Sequence, residues 1–463
     1  MIGPEVRSGT GRPGHIEAGS ATWFLIILAA LVQNAPQAVG AEPTYSGDVA
    51  RILQKNCQGC HRPGEIGPFA LDTYEQARKR AGDIAEIVGD RRMPPWKPTP
   101  GVGLKLKHDR SLAQADIALL VAWAEAGAPE GERAHLPPPV QFTEGWKLGE
   151  PDLVVAPAEA FSIPAGGSDL YRCFVIPTDL PNDVYVSAVE FRPGNRRVVH
   201  HMMAFLDTHG NGRKKDADDP GPGYASYSGG GVELSGDLGG WAAGNEPIHL
   251  PEGVGRLLPC KADILLQVHY HPSGKPETDL TKLGLYFARK PVRQSLQWNN
   301  ASNMKLKLTP GNSNIEVKAK WYVPVDVEAL ALTPHMHQLG RDITISVTFP
   351  GGHSADLMRI SDWDASWQST YYFEKPITLP RGSVVNVLAH YDNSDANPRN
   401  PNRPPKPVTW GFGVNDEMCV VYIGMVKKGQ DLTRPGEKDD LFDIFAKQYQ
   451  DHLWRDAESK RHR

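Results

Sequence analysis

A chain of 463 residues with 22% charged and 40% hydrophobic residues is long enough for about three domains and has an ordinary globular composition. The formal net charge of −4, with no basic block before the last few residues, argues against nucleic acid as a partner. The five cysteines are too few for a scaffold held together by disulfides.

The first apolar run, "ATWFLIILAALV" (21–32), is short for a bilayer span. Arg7 and Arg12 precede it, and the small residues of "AVGA" (38–41) follow at a cleavage-like spacing. This pattern predicts a signal peptide over 1–41 and a periplasmic or secreted protein, membrane-anchored if the segment is not cleaved.

Residues 44–132 read as a small all-α domain. Val49, Ile52 and Leu53 fall at helical spacing before "CQGCH" (57–61). "DTYEQARKRAGDIAEIVGD" (72–90) opens on Asp and Thr. "SLAQADIALLVAWAEAG" (111–127) offers Ser111 and Gln114 as a capping box, an apolar stripe of Leu112, Leu119, Leu120 and Trp123, and Gly127 as a C-terminal cap. In "CQGCH" two thiols are spaced for covalent bonds to the vinyl groups of haem, with the adjacent histidine ligating iron. The prediction is a c-type cytochrome domain holding haem c through Cys57, Cys60 and His61. A partial zinc site and a structural disulfide compete with it, but no second Cys/His pair lies nearby. Met93, in "RRMPPW", is the only methionine between Met1 and Met202 and is the expected sixth ligand; His108 is its competitor. The three remaining cysteines allow at most one bridge, and position favours Cys173 with Cys260 for it.

A Pro-rich linker (133–148) leads into short Val/Ile/Tyr-rich runs separated by Gly, Pro, Asn and Asp. Their number suits two tandem antiparallel β-sandwiches, 149–292 and 293–428. The tail, 429–463, carries an amphipathic helix with Leu441, Phe442, Phe445, Tyr449 and Leu453 on one face.

Histidines recur through the β-rich part. His335 and His337 in "LTPHMHQLG" are two apart, so on a strand they share a face and can grip one metal. His200 and His201 in "RRVVHHMMAF" are adjacent and should point apart, unless the strand bends or bulges. "LLQVHYH" adds His269 and His271, and "NDEMCVVYIGM" adds Met418. Buried structural histidines and a core methionine are the plainer alternatives.

In order, "VVHHMMAF", "GWAAGNEPIHLPEGVG", "LLQVHYH", "PHMHQLG" and "DEMCVVYI" resemble the type II copper, ascorbate-dependent monooxygenases, the family of peptidylglycine α-hydroxylating and dopamine β-monooxygenases. The resemblance spans about 145–428. It implies two jelly-roll-like domains and two copper ions. One would be held by His200, His201 and His269, the other, oxygen-activating and catalytic, by His335, His337 and Met418. His271 lies one step beyond the matching histidine. A soft thioether favours Cu(I). Tyr422 matches a substrate-side tyrosine, with a core role an equal alternative. Thr333 and Val420 replace an arginine and an asparagine of the peptide-amidating relatives, which argues against a peptide ending in glycine as the substrate. Cys419 matches in position but has no evident partner.

The expected protein is therefore an exported copper monooxygenase that hydroxylates an aliphatic C–H of a small organic substrate with O2. Electrons would come from an exported donor (a reduced cytochrome, a quinol pathway or an ascorbate-like reductant) through the fused haem. A non-catalytic electron carrier and a copper-binding module are the alternatives.

Overall fold

The computed structural model describes residues 42–143, 145–227, 229–413 and 415–449. The expected signal peptide lies outside them. Among the described residues no helix is long and apolar enough to cross a membrane.

The helical part begins with a π-turn, Tyr45–Val49, continuous with the helix Ala50–Asn56, followed by Tyr74–Lys79, Ala81–Gly89 and Gln114–Glu125. Val49, Leu53, Ile84, Leu120 and Trp123 close one small core. The capping box forms elsewhere than the sequence suggests. Thr73 and Gln76 make it at the helix Tyr74–Lys79. Gln114 instead accepts a 2.7 Å hydrogen bond from Arg91, and the helix Gln114–Glu125 starts from Ala113 with no side-chain cap.

This helical part is strapped to the second sandwich. Between its last two helices the chain runs along a sheet edge, where Thr99, Leu104 and Lys107 donate backbone N–H groups to Arg359, Leu357 and Tyr372 at 2.7, 3.0 and 2.8 Å. Gly103 allows the close approach: it has φ +83°, and a Cβ there would collide with the Leu357 carbonyl.

The first sandwich has two five-stranded sheets. One runs in the order Leu153–Val155, Lys282–Phe287, Val184–Arg192, Val254–Leu258, Gln294–Ser295. The other runs Tyr224–Ala225, Leu170–Pro177, Asp263–Tyr270, Val199–Asp207, Gly236–Ala242. Their facing sides bury Met202, Ala204, Leu206, Ile264, Leu266 and Val268. Asp263–Tyr270 is buried at every position, unlike an ordinary alternating strand. Its second face is covered near Leu265 by Tyr224, Val232 and Leu234.

The second sandwich packs Gln297–Ser302, Val420–Lys427, Val327–His335 and Tyr371–Leu379 against Ile315–Tyr322, Val384–Tyr391, Gly340–Thr348 and Ser354–Ile360. Clean alternation, as in Ile315–Tyr322, marks strands with one solvated face. A helix from 441 onward lays Leu441 and Phe445 into this core, and Gln448 accepts a 3.1 Å hydrogen bond from the Trp321 indole. Burying a side chain such as Phe445 contributes roughly 1.5–3 kcal/mol. The buried face is thus 441/445/448, and Phe442 and Tyr449 point to solvent; Leu453 lies outside the described residues.

All five cysteines are free thiols. The suggested Cys173–Cys260 bridge does not form, because Cys173 pairs across the sheet with Gln267 while Cys260 sits in the turn before that strand.

Candidate metal centres

The adjacent histidines are reconciled by a bulge. Val199 pairs with Tyr270 and His201 with His269, so His200 is an extra residue in its strand. The slip turns His200 to the side of the sheet away from the core, beside His201 and His269. The Nδ1 of His201 lies 3.4 Å from that of His200 and 3.2 Å from that of His269. One ligand atom from each of the three fits within 4.8 Å of the others. The opposite nitrogen of His269, Nε2, meets the Asp169 carboxylate at 2.7 Å. That bond puts the proton on Nε2 and leaves a lone pair on Nδ1. Three ring nitrogens therefore converge on one point in a donor set that suits a metal ion.

Several residues that the sequence did not flag hold this arrangement. Asp169 also receives His271 Nδ1 at 2.8 Å, so His271 acts at one remove from the centre. The hydrogen bond from His269, then partial burial opposing it, holds the Asp169 carboxyl down to about 2. Tyr171 stacks on His269 with ring centroids 4.2 Å apart and planes 6° off parallel. Burial, then the neighbouring His269, lowers His200 to about 4, and the same causes lower His201 further. Both are neutral at pH 7, the form that ligates metals.

The second cluster grows from the pairing of Val327–His335 with Val420–Lys427. His335 faces Val420, where the pairing ends; beyond it Glu417 bonds the backbone N–H groups of both His337 and Met418. The His335 and His337 rings lie 5.1 Å apart at 79°. His335 Nδ1 meets Gln368 Oε1 at 2.5 Å, and His337 Nδ1 meets the Asp416 carbonyl at 2.9 Å. Each ring thus has its Nε2 left over for a metal. Burial and the mutual repulsion of the pair lower His335 to about 4. Met418 is 4% exposed, and its carbonyl accepts from Tyr391 at 2.8 Å. The buried Glu417 carboxylate accepts from the backbone N–H groups of His337, Leu339 and Met418 at 2.8, 2.6 and 3.1 Å. One side chain thus ties both arms of the cluster together.

The two clusters are neighbours. Trp367, from the second sandwich, packs 5.6 Å from the His200 ring, and the His335 ring is close enough to His201 to disfavour a proton on it. Thr333 and Tyr422 pair across the strands one step behind His335, on its face of the sheet, with Tyr422 37% exposed. Trp298, Asn300 and Tyr372 share that face by alternation and register.

In the helical part His61 Nδ1 meets the Phe69 carbonyl at 3.1 Å, which frees Nε2. Burial and the second thiol push Cys57 up to about 12. Cys60 and His108 line a cavity of about 490 Å³ that also touches Trp241 and Asn245 of the first sandwich. Met93 lines a different cavity, of about 150 Å³, with Pro94, Trp96 and Leu112. Cys57 and His61 do not line the larger cavity, and Met93 lines only the smaller one, so the expected haem ligands do not face one common space.

Among the described residues His200, His201 and His269 form a group of three side chains that could hold a metal ion, and the His335–His337 pair lies in the neighbouring sandwich. Residues 318–431, which contain His335, His337 and Met418, match the C-terminal domain of the copper type II ascorbate-dependent monooxygenases. The chain is 26% identical over 283 residues to the tyramine beta-hydroxylase of Caenorhabditis briggsae, covering 55% of this chain and 45% of that protein. It thus spans less than half the length of that relative. Similarity to solved structures is slight: PNGF-II at 11% identity and TM-score 0.25 (59% of this chain, 65% of that one), and the major capsid protein P2 of bacteriophage PM2 at 10% and 0.23 (61% and 99%).

Proposed function

We propose that the protein is an exported copper-dependent monooxygenase: a substrate C–H, O2, two electrons and two protons give an alcohol and water. The carrying observation is the convergence of His200, His201 and His269 on one point, with the His335–His337 pair in the neighbouring sandwich; Met418 as a third donor beside that pair is part of the proposal. The first would take its ion through Nδ1 of His200, His201 and His269. The second would take its ion through Nε2 of His335 and His337 with the Met418 sulfur. Copper bound there would supply the redox chemistry with O2, and the thioether would favour its reduced form.

The chain's own residues do the rest. Asp169 and Gln368 fix which nitrogen of His269 and His335 carries a proton. Tyr422, Thr333 and Trp298 offer an aromatic and hydroxyl surface beside the second cluster, suited to a small organic substrate; Arg256, paired with Asp237, stands at its edge, donating to Tyr372 at 3.1 Å and lying over Trp298. The relative's name, tyramine beta-hydroxylase, is compatible with such a surface. Cys57, Cys60 and His61 would hold a haem, with Met93 or His108 as the competing further ligand, and such a group would supply one-electron transfer from an exported reductant.

Metal and haem analysis of the purified protein should give two copper ions and one haem per chain. Met418→Ala should abolish O2-coupled hydroxylation while leaving the haem spectrum and the copper at the first cluster intact. Turnover that survives Met418→Ala would overturn the assignment of the oxygen site.

A further inference from the structure

The larger cavity, of about 490 Å³, lies where three parts of the chain meet. Trp96 and Arg110 come from the helical part, Trp241 and Asn245 from the first sandwich, Thr370 and Tyr372 from the second. Its volume falls within the roughly 300–1,000 Å³ of small-molecule sites. More lysines and arginines than carboxylates line it, so its charge favours an anion.

Arg110 is the cation in this wall that lacks a counter-ion. Burial opposes its charge, yet a guanidinium stays protonated in a protein. It lies 5.6 Å over the Trp96 ring and donates a long hydrogen bond, 3.4 Å, to Asn245 Oδ1. Among the described residues no carboxylate pairs with it: Glu246, next to Asn245, gives both oxygens to Lys147 at 2.7 Å. Arg256, on the same cavity, is by contrast satisfied by Asp237 at 2.7 Å and the Tyr372 hydroxyl at 3.1 Å. A desolvated charge without a partner is destabilising, and a carboxylate bound through two parallel N–H groups would offset it.

The same cavity adjoins the His335 face of the second sandwich. Asn245 Oδ1, which accepts from Arg110, also lies 3.5 Å from the Ser369 hydroxyl. The next residue, Thr370, meets Thr333 hydroxyl to hydroxyl at 2.8 Å, and Thr333 stands two residues before His335 on its strand. Tyr372 comes from the neighbouring strand, where it pairs with Ala331.

We propose that Arg110 anchors a carboxylate-binding site and that the substrate is a small aromatic carboxylic acid, its carboxylate on the Arg110 guanidinium and its ring among Trp96, Trp241 and Tyr372. Its role as substrate rests on the monooxygenase reading above; its binding does not. An amine would bring a like charge to Arg110 and is selected against.

Isothermal titration calorimetry of the purified full-length protein tests the site with benzoate, phenylacetate and 3-phenylpropionate, against phenylacetamide and tyramine as neutral and cationic counterparts. At least one acid should bind about 10-fold or more tightly than either counterpart, since hydrogen bonds to charged groups outweigh neutral ones. Arg110→Met should weaken that acid about 10-fold or more with no loss of resistance to urea, because the cation it removes has no partner. Arg110→Lys keeps the charge without the planar fork and should fall between. No binding by any of the three acids, or an acid no tighter than phenylacetamide, would overturn the site whether or not the variants fold. Unchanged acid affinity in Arg110→Met would also overturn it, and an altered haem spectrum in that variant would then give the guanidinium to a haem propionate. Hydroxylation of tyramine but of no acid would overturn the acid as substrate and leave the monooxygenase reading standing. Acid binding with no O2-coupled turnover of any of the five compounds would leave the site standing and count against the monooxygenase reading.

Discussion

Gln368 Oε1 lies 2.5 Å from His335 Nδ1, and the residue before it, Trp367, packs against His200. A single loop of the second sandwich therefore reaches both histidine clusters. The Gln368 side chain is itself fixed, because its amide donates to the Ala365 carbonyl at 2.8 Å. That leaves its oxygen as the acceptor and assigns the proton to His335 Nδ1.

Gln368→Leu removes that acceptor at similar size and frees the ring to turn. Copper affinity at His335, His337 and Met418 should fall about 10–100-fold, the usual cost of losing a hydrogen bond to a ligating histidine. Affinity at the first cluster should hold. Site-resolved copper titration followed by electron paramagnetic resonance separates the two. An equal loss at both clusters would show that the loop acts as scaffold and not through His335.

Asp169 plays the corresponding part for His269 and is shared with the exposed His271. Asp169→Ala should weaken copper at the first cluster by about 10–100-fold. His271→Ala should leave it nearly unchanged, because Asp169 keeps its bond to His269. Copper titration of the two variants checks the pair. A large loss in His271→Ala would make His271 a ligand.

Residue types and order made the clusters legible in the sequence, but their supports were not. His335 and His337 announce themselves by a spacing of two on a strand, and the HH pair by violating that spacing. The bulge at His200 is the physical consequence. Asp169, Tyr171, Gln368 and Glu417 are ordinary residues in ordinary segments, and only strand pairing and loop return bring them to the rings. Local pattern also misplaced small features. The capping box went to Thr73 because Arg91 engages Gln114, and Phe442 lost its place on the buried helix face to Gln448, which Trp321 holds. The strap of residues 99–107 is too short for a periodic signal: backbone N–H groups, Leu104 and Leu106 against the core, and the Thr99 hydroxyl beside Ser361 hold it to the second sandwich.

The buried imidazoles set a pH dependence. His200 and His335 sit at about 4 in the folded chain, against about 6.5 when unfolded. Between these values the unfolded chain binds protons that the folded clusters refuse. Their contribution to stability is fully present above pH 6.5 and is lost as pH falls from 6.5 to 4. Metal-free protein should show a falling unfolding midpoint over that window, and His200→Gln with His335→Gln should flatten the slope. Copper-loaded protein should hold its midpoint further into acid, because the metal competes with the proton for the same nitrogens. Denaturant titrations at fixed pH values measure all three. An unchanged slope in the double variant would place the acid sensitivity elsewhere.

Glu417 offers the most direct test of how the second cluster is built. Burial pushes its carboxyl up to about 8 against the pull of the backbone donors, and its two oxygens take three backbone N–H groups, from His337, Leu339 and Met418. Glu417→Gln keeps the shape but replaces one oxygen with an NH2 that must face an N–H. At least one buried donor then loses its partner, at about 1–3 kcal/mol each. The same change loosens the backbone that carries His337 and Met418, so copper at this cluster should weaken along with global stability, while copper at His200, His201 and His269 should not. Urea unfolding of the metal-free variant and site-resolved copper titration read the two effects separately. A variant with wild-type stability and a wild-type second site would mean that Glu417 does not join the arms of the cluster.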